Sequence, residues 1–336
     1  MTTYLPTRPE GVEDTPRTLK KGMTGVDKVF EISATTIGTI VLLITGGIGL
    51  FLLGNSIPTL RYYGWSFFTE TQWNPEQNVV GIAAVLGGTV SIAFVALALA
   101  VPLAFLTALY ISDYAPPNLK PTLISAVDLM SAVPSIIYGL WGFFLVMPYA
   151  GDVARWLHRW MGWLPIFDVQ TDPNSAFVDQ TRYIQSAFCA GIAVAMMVLP
   201  MIASVMREVF SQSPPGEREA ALALGATRWG MVQSVVLPFG RGGMIGGTML
   251  GLGRALGETI AVLLIISQAE ELKWRILETG TNNISALIAN KFGTATGAQM
   301  SALLTAGLVL FVLTLIVNTL AAIVVSRSRS GADAEA

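Results

Sequence analysis

Charge and reactive side chains are what this sequence of 336 residues has least of. Asp, Glu, Lys and Arg make up only 12% of it, about half the share found in soluble domains, so water is not the solvent for most of the chain. It has one cysteine and one histidine. A lone Cys189 within an apolar run excludes a disulfide or thiolate-metal framework and reads as a small buried packing residue. A lone His158 reads as a solvated interfacial side chain, since metal binding or proton transfer calls for partners that the sequence does not offer. No lysine follows a glycine, so there is no G-K-[ST] phosphate loop and this polypeptide does not hold ATP by that device. No serine, cysteine or histidine constellation for nucleophilic catalysis is present, and no metal-ligand spacing. Neither an enzyme active site nor a resident cofactor is expected. The net charge of -2 says little about partners, and no nucleic-acid partner is expected.

What the chain has in abundance is apolar length, with 53% hydrophobic residues. Ile32 to Ile57, Leu129 to Gly151 and Tyr183 to Met206 are charge-free, and each exceeds the roughly 20 residues needed to cross a bilayer. Gln77 to Ser112 and Phe292 to Ser326 are longer, each enough for one tilted or kinked span. Gly242 to Ala269 qualifies apart from Arg254, Glu258 and Gln268. An all-α integral membrane protein with six spans follows. With the N-terminus inside, twelve Lys and Arg fall on the cytoplasmic side and seven outside, which favours this orientation. Residues 1–31 read as a cytoplasmic leader in which Val26, Val29, Phe30 and Ile32 mark an interfacial helix. Its length and the long run after it argue against a cleaved signal peptide. Residues 32–326 form the six-span domain, 207–241 a cytoplasmic loop, and 327–336 a cytoplasmic tail. Tyr62, Tyr63, Trp65, Phe67, Phe68 and Trp73 are an aromatic cluster of headgroup type, and Trp156, Trp160 and Trp163 share one face of a short surface helix. Pro102, Pro134 and Pro200 fall inside spans, where neighbours or a cavity must satisfy any broken backbone.

Between the fourth and fifth spans the chain reads Glu219-Ala220-Ala221, three residues, Gly225, nine residues, Val235, one residue, Leu237-Pro238. Pro214 and Pro215 end an incoming helix but are tolerated in a first turn, and Ser213 is positioned as N-cap, so a helix is expected to begin near residue 215. Gly225 suits a left-handed stop, Thr227 an N-cap for a second short helix, and Pro238 the neighbourhood of that helix's end. Alanines at 220, 221 and 223 let another protein's surface approach the backbone closely. The residues by themselves also allow a generic interfacial hairpin. The spacing resembles the coupling loop, the EAA loop, of ATP-binding-cassette importer permeases, where Ile stands in place of Val235. That resemblance implies contact with an ATPase through Glu219, Ala220, Ala221 and Gly225.

An ionised side chain at mid-membrane costs about 2.5–3.5 kcal/mol on insertion scales, so Arg254 and Glu258 need a compensating partner or a purpose. Four residues apart on a continuous helix, they would stack and pair, on the same stripe as Gly243, Gly247 and Gly251. Glycines at this interval admit a neighbouring backbone, so the stripe should face protein or a water-filled cleft and not lipid. Arg254 then offers a guanidinium fork to an oxyanion such as phosphate, and Glu258 either holds the fork or accepts a hydrogen bond from a protonated phosphate oxygen, which sulfate lacks. An ion pair that only fixes helix packing is the alternative. Asp128, where the third span begins, reads as a helix cap or solvated carboxylate, or else as a residue of the substrate path.

Gly251-Leu252-Gly253-Arg254-Ala255-Leu256-Gly257-Glu258-Thr259 resembles the corresponding helix of phosphate importer permeases of the PstC/PstA type. Trp73-Asn74-Pro75, Ala132-Val133-Pro134-Ser135 and Tyr138-Gly139 are more similar to the PstC half. The resemblance, from about residue 30 to 326, implies a type I importer permease in a bacterial cell membrane. It implies pairing with a PstA-like permease, two copies of a PstB-like ATPase below and a PstS-like phosphate-binding protein outside. It also implies a substrate path through Arg254 and Glu258. A permease for sulfate, molybdate or phosphonate, a passive channel, an ion-driven transporter and a regulatory scaffold are the other functions weighed.

Overall fold

A computed structural model describes residues 25–169, 179–269 and 272–328, and the chain divides into two units within its first helix, at Leu50 and Phe51. The expectations for the leader before residue 25, the tail after 328 and the loop segment 170–178 lie outside the described residues. In the first unit, α1 (Gly25–Tyr63, which continues into the second) passes through Val26, Val29, Phe30 and Ile32 without a break. No separate interfacial helix forms, because no glycine or proline between Val26 and Thr36 interrupts the helical ladder.

The second unit continues with α2 (Ser66–Thr69), β1 (Trp73–Asn74), β2 (Val79–Val80), α3 (Ala83–Leu109), α4 (Lys120–Ala132), α5 (Ser135–Trp141) and α6 (Met147–Met161). It then runs through α7 (Ala187–Ser211), α8 (Pro215–Ala223), α9 (Arg228–Met231), α10 (Leu237–Gly257), α11 (Ile260–Ile265), α12 (Ile284–Lys291) and α13 (Gly297–Ser328). Six segments are long and apolar enough to span a membrane: Gly25–Tyr63, Ala83–Tyr114, Ser135–Met161, Ala187–Ser211, Arg228–Gly257 and Gly297–Val325.

Two of these spans are single rods only because a wide π-type turn precedes a proline. Residues 142–146 lead into Pro148, and 232–236 into Pro238. A proline ring collides with the carbonyl four residues back and supplies no N–H, and a locally widened helix absorbs both defects. The helix carrying Trp156 and Trp160 is therefore the end of the third span, not a separate surface helix, and Trp163 lies just beyond it. All three indoles are exposed. His158 is not simply solvated: its Nδ1 lies 3.0 Å from the Phe167 carbonyl oxygen and its ring 5.9 Å from that of Tyr183, so it pins the following loop. Pro134 does break its segment, separating α4 from α5, whereas Pro102 and Pro200 remain inside α3 and α7.

The core is built around α7. Ala96, Ala100, Ala104 and Ala108 form a fully buried four-residue stripe on α3, which packs along α7 with Val95 against Gly191. Small residues at this interval let two helices approach closely, which is how packing replaces the hydrophobic effect between spans. Cys189 is buried in the same core, as expected for a packing residue. A second cluster gathers Phe67, Trp73, Val80 and Ile82 against Ile284, Leu287 and Leu303. Phe67 and Trp73 thus belong to a core and not to an exposed aromatic belt, while Tyr62 and Trp65 stay exposed. Trp73-Asn74-Pro75 has a local reason as well. Trp73 pairs with Val80, the Asn74 carboxamide oxygen accepts the Gln77 N–H at 3.3 Å, and Pro75 starts the tight turn that ends at left-handed Asn78.

Candidate functional site

The loop between the fourth and fifth spans folds largely as its residues dictate. Two prolines open α8, which ends at Gly225 with φ +89°, a conformation that costs glycine little and other residues more. Thr227 then caps the next helix, its Oγ1 accepting the Gly230 N–H at 3.1 Å. Ser213 does not cap α8. It is buried and its Oγ accepts from Arg218 Nε at 3.0 Å, because the chain enters α8 through extended Pro214. Pro238 does not end the second helix either, since α9 continues through the wide turn into α10. Glu219, Ala220, Leu222, Ala223 and Leu224 are exposed, Ala221 is half-buried, and Leu224 is 90% exposed. Glu219 has no hydrogen-bond or ion-pair partner among the described residues. The result is a small-residue, partly apolar ledge that carries the exposed carboxylates of Glu217 and Glu219.

Along α10 the glycine stripe faces protein. Gly240 meets the Phe210 ring, Gly243 meets Val209, Gly247 meets Val205, and Gly251 meets Ile202, all on α7. Gly246 and Gly253 turn the opposite face toward Val325 and Asn318 of α13. One turn beyond Gly251 the packing opens. Arg254 is exposed and has no hydrogen-bond or ion-pair partner among the described residues. It lies 13 residues past Arg241, the last charge before it, or about 20 Å of helix. The fifth span closes three residues further on, at Gly257.

Glu258 does not stack below Arg254. The helix stops at Gly257, and Glu258 is extended with ψ 130° and buried, 7% of the residue being exposed. Its Oε1 accepts the Ala261 N–H at 3.2 Å, which starts α11, and its carbonyl accepts from Asn283 Nδ2 at 2.8 Å. The Gly257 carbonyl receives Ser285 Oγ at 3.4 Å, and Asn283 in turn caps α12 through the Ala286 N–H at 2.7 Å. The break is thus satisfied by side chains 25 or more residues away, and the fifth span closes at Gly257 instead of running to Ala269.

A second break lies beside the first. Pro134 separates α4 from α5, and Tyr138, the first large buried residue of α5, donates its hydroxyl back across the gap to the Met130 carbonyl at 2.7 Å. Gly139 lets α5 cross α11, since a Cβ there would come within 2.8 Å of Ala261 Cα. Asp128 does not mark the start of the third span. It lies inside α4, is exposed, and accepts from Ser204 Oγ of α7 at 3.1 Å. No ion pair joins Arg254, Glu258 and Asp128 among the described residues. The structure therefore brings the α5 break and α11 together, with Arg254 one turn before the α10 break, Glu258 buried as the support of α11, and Asp128 held by Ser204. Pro134, Tyr138 and Gly139 were visible in the sequence, but nothing there said that their segment crosses α11.

The family model described as a binding-protein-dependent transport system inner membrane component matches residues 100–330. The phosphate transport system permease protein PstC 2 of Mycobacterium tuberculosis is 40% identical over 329 residues, 96% of this chain and 97% of that protein. The phosphate transport system permease protein PstC of Xylella fastidiosa is 38% identical over 302 residues, 90% of this chain and 91% of that one. Among solved structures, that of a bacterial ABC transporter involved in the import of the acidic polysaccharide alginate aligns with TM-score 0.54 and 16% identity over 90% of this chain and 97% of that chain, a likeness of fold. The six spans and this fold give a multi-pass membrane protein with importer-permease architecture. With relatives of this identity along nearly its whole length, the chain belongs to the binding-protein-dependent transport system inner membrane component family, among its PstC-like members.

Proposed function

We propose that this chain is one transmembrane half of an ATP-driven importer of inorganic phosphate in a bacterial cell membrane, with both termini and the 207–241 loop in the cytoplasm. Its partners are a PstA-like permease, two copies of a PstB-like ATPase docked on the α8 ledge, and a PstS-like phosphate-binding protein on the opposite side. The observation that carries the reading is Arg254, an exposed cation with no hydrogen-bond or ion-pair partner among the described residues, in the apolar stretch that follows Arg241 in the fifth span of a PstC-like permease. A guanidinium fork matches a phosphate oxygen pair, and the partner permease would complete a cleft around it. Glu258 sustains the helix break that presents this fork. Asp128 extends the path along the exposed face of α4, two residues from the Met130 carbonyl that holds Tyr138.

Uptake of labelled phosphate into proteoliposomes that hold all subunits tests this. Uptake is expected only with ATP, and about a tenfold excess of sulfate should leave it largely unchanged, as the phosphate transport named for the PstC relatives implies. Equal competition by sulfate would reassign the substrate, and uptake without nucleotide would contradict ATP coupling.

A further inference from the structure

We infer that Arg218 and Asp113 form a clamp that ties the ATPase-facing helix α8 to α3, carrying its movement to a third and a fourth helix besides the two it is covalently joined to. This rests on the reading of 207–241 as a coupling loop. Every nitrogen of the Arg218 guanidinium is engaged, with Nη1 on Asp113 Oδ1 at 2.7 Å, Nε on Ser213 Oγ at 3.0 Å and Nη2 on the Phe210 carbonyl at 2.5 Å. The pair is internal, the Asp113 side chain being 3% exposed and that of Arg218 21%. Asp113 stands in the π-type turn 110–114 that prolongs α3, and Lys120 at the start of α4 donates its Nζ to the neighbouring Ser112 carbonyl at 3.1 Å. One short turn therefore joins α8, α3, α7 and α4. From there α4 leads to the Pro134 break and the Tyr138–Met130 bond.

The clamp is not built for stability alone. Among the described residues, Asp113 Oδ2 and Ser112 Oγ are buried without a hydrogen-bond partner, as is Arg207 Nε on α7. A buried ion pair is a weak source of stability, and an unsatisfied oxygen makes this one weaker still. Its geometry suits a strut that fixes one element to another. Nothing in the EAA spacing requires it, since the two residues lie 105 apart in sequence.

Spatial intermediacy is no proof of coupling, so the test is a double-mutant cycle on the complete importer in proteoliposomes, read as phosphate transported per ATP hydrolysed. Asp113→Asn and Arg218→Gln should each lower that ratio by about tenfold or more with hydrolysis within about twofold of wild type, and the double variant should be no worse than either single one. Arg218→Lys, which keeps the charge and loses the fork, should recover part of the ratio. Uptake and hydrolysis falling in parallel with melting temperature would mean a purely structural pair and overturn the inference, as would an unchanged ratio. If the neutral variants do not assemble, Arg218→Lys and Asp113→Glu carry the test, and a wild-type ratio in both overturns it. Glu219→Lys in the same assay separates the two levels: a coupled Glu219→Lys importer sinks the coupling loop itself, whereas an uncoupled one beside normal clamp variants sinks only the clamp.

Discussion

Replacing Arg254 by glutamine is expected to reduce ATP-driven phosphate uptake by at least about 100-fold while the importer still assembles. Removing one partner from a desolvated charged contact costs about 3–5 kcal/mol, and each 1.4 kcal/mol is a factor of ten. The fold should not suffer, because Arg254 makes no hydrogen bond or ion pair among the described residues and is exposed in this chain. Arg254→Lys should fall between the two, keeping charge but losing the bidentate fork. Melting temperature and subunit stoichiometry of the purified complex check assembly, and labelled phosphate uptake checks transport. Near-normal flux through the glutamine variant would return Arg254 to a packing role.

The second large effect is expected at Glu219. Its carboxylate is exposed and has no partner among the described residues, so reversing its charge leaves α8 intact and acts on what docks there. Like charges brought together at an interface cost several kcal/mol, so Glu219→Lys should lower uptake by about 30-fold or more and separate it from ATP hydrolysis. Measuring both rates on one preparation of proteoliposomes decides the matter. Uptake that stays at the wild-type level would show that the ledge is not where the ATPase transmits its work.

Much of this architecture was legible in the sequence because membrane spans and caps are local features. Apolar length gave six spans, Gly225 and Thr227 gave the turn and cap of the loop, and the interval of Gly243, Gly247 and Gly251 gave a protein-facing stripe. The errors arose where a distant side chain supplied what the local sequence lacked. Periodicity carried the helix through Glu258, yet Asn283 and Ser285 accommodate a break there by bonding the carbonyls of Glu258 and Gly257. Arg254 and Glu258 therefore part company, one facing outward and the other capping α11. Pro238 suggested a helix end because the wide turn that absorbs it leaves no mark of its own in a single sequence. The same blindness to distance hid Asp113 and Arg218, which only the folded chain brings together.

The most direct test of the account is the aqueous reactivity of a cysteine placed beside Arg254, at Gly257. That position is exposed and open around its Cβ, and the chain's own Cys189 is buried, so labelling of this subunit reports one site. In the complete importer, Gly257→Cys should react with a water-soluble thiol reagent and be protected by phosphate but not by sulfate, and the protection should vanish when Arg254→Gln is added. A cysteine that stays unreactive throughout the ATP cycle, or is protected equally by sulfate or without the Arg254 guanidinium, would contradict an anion path at this surface.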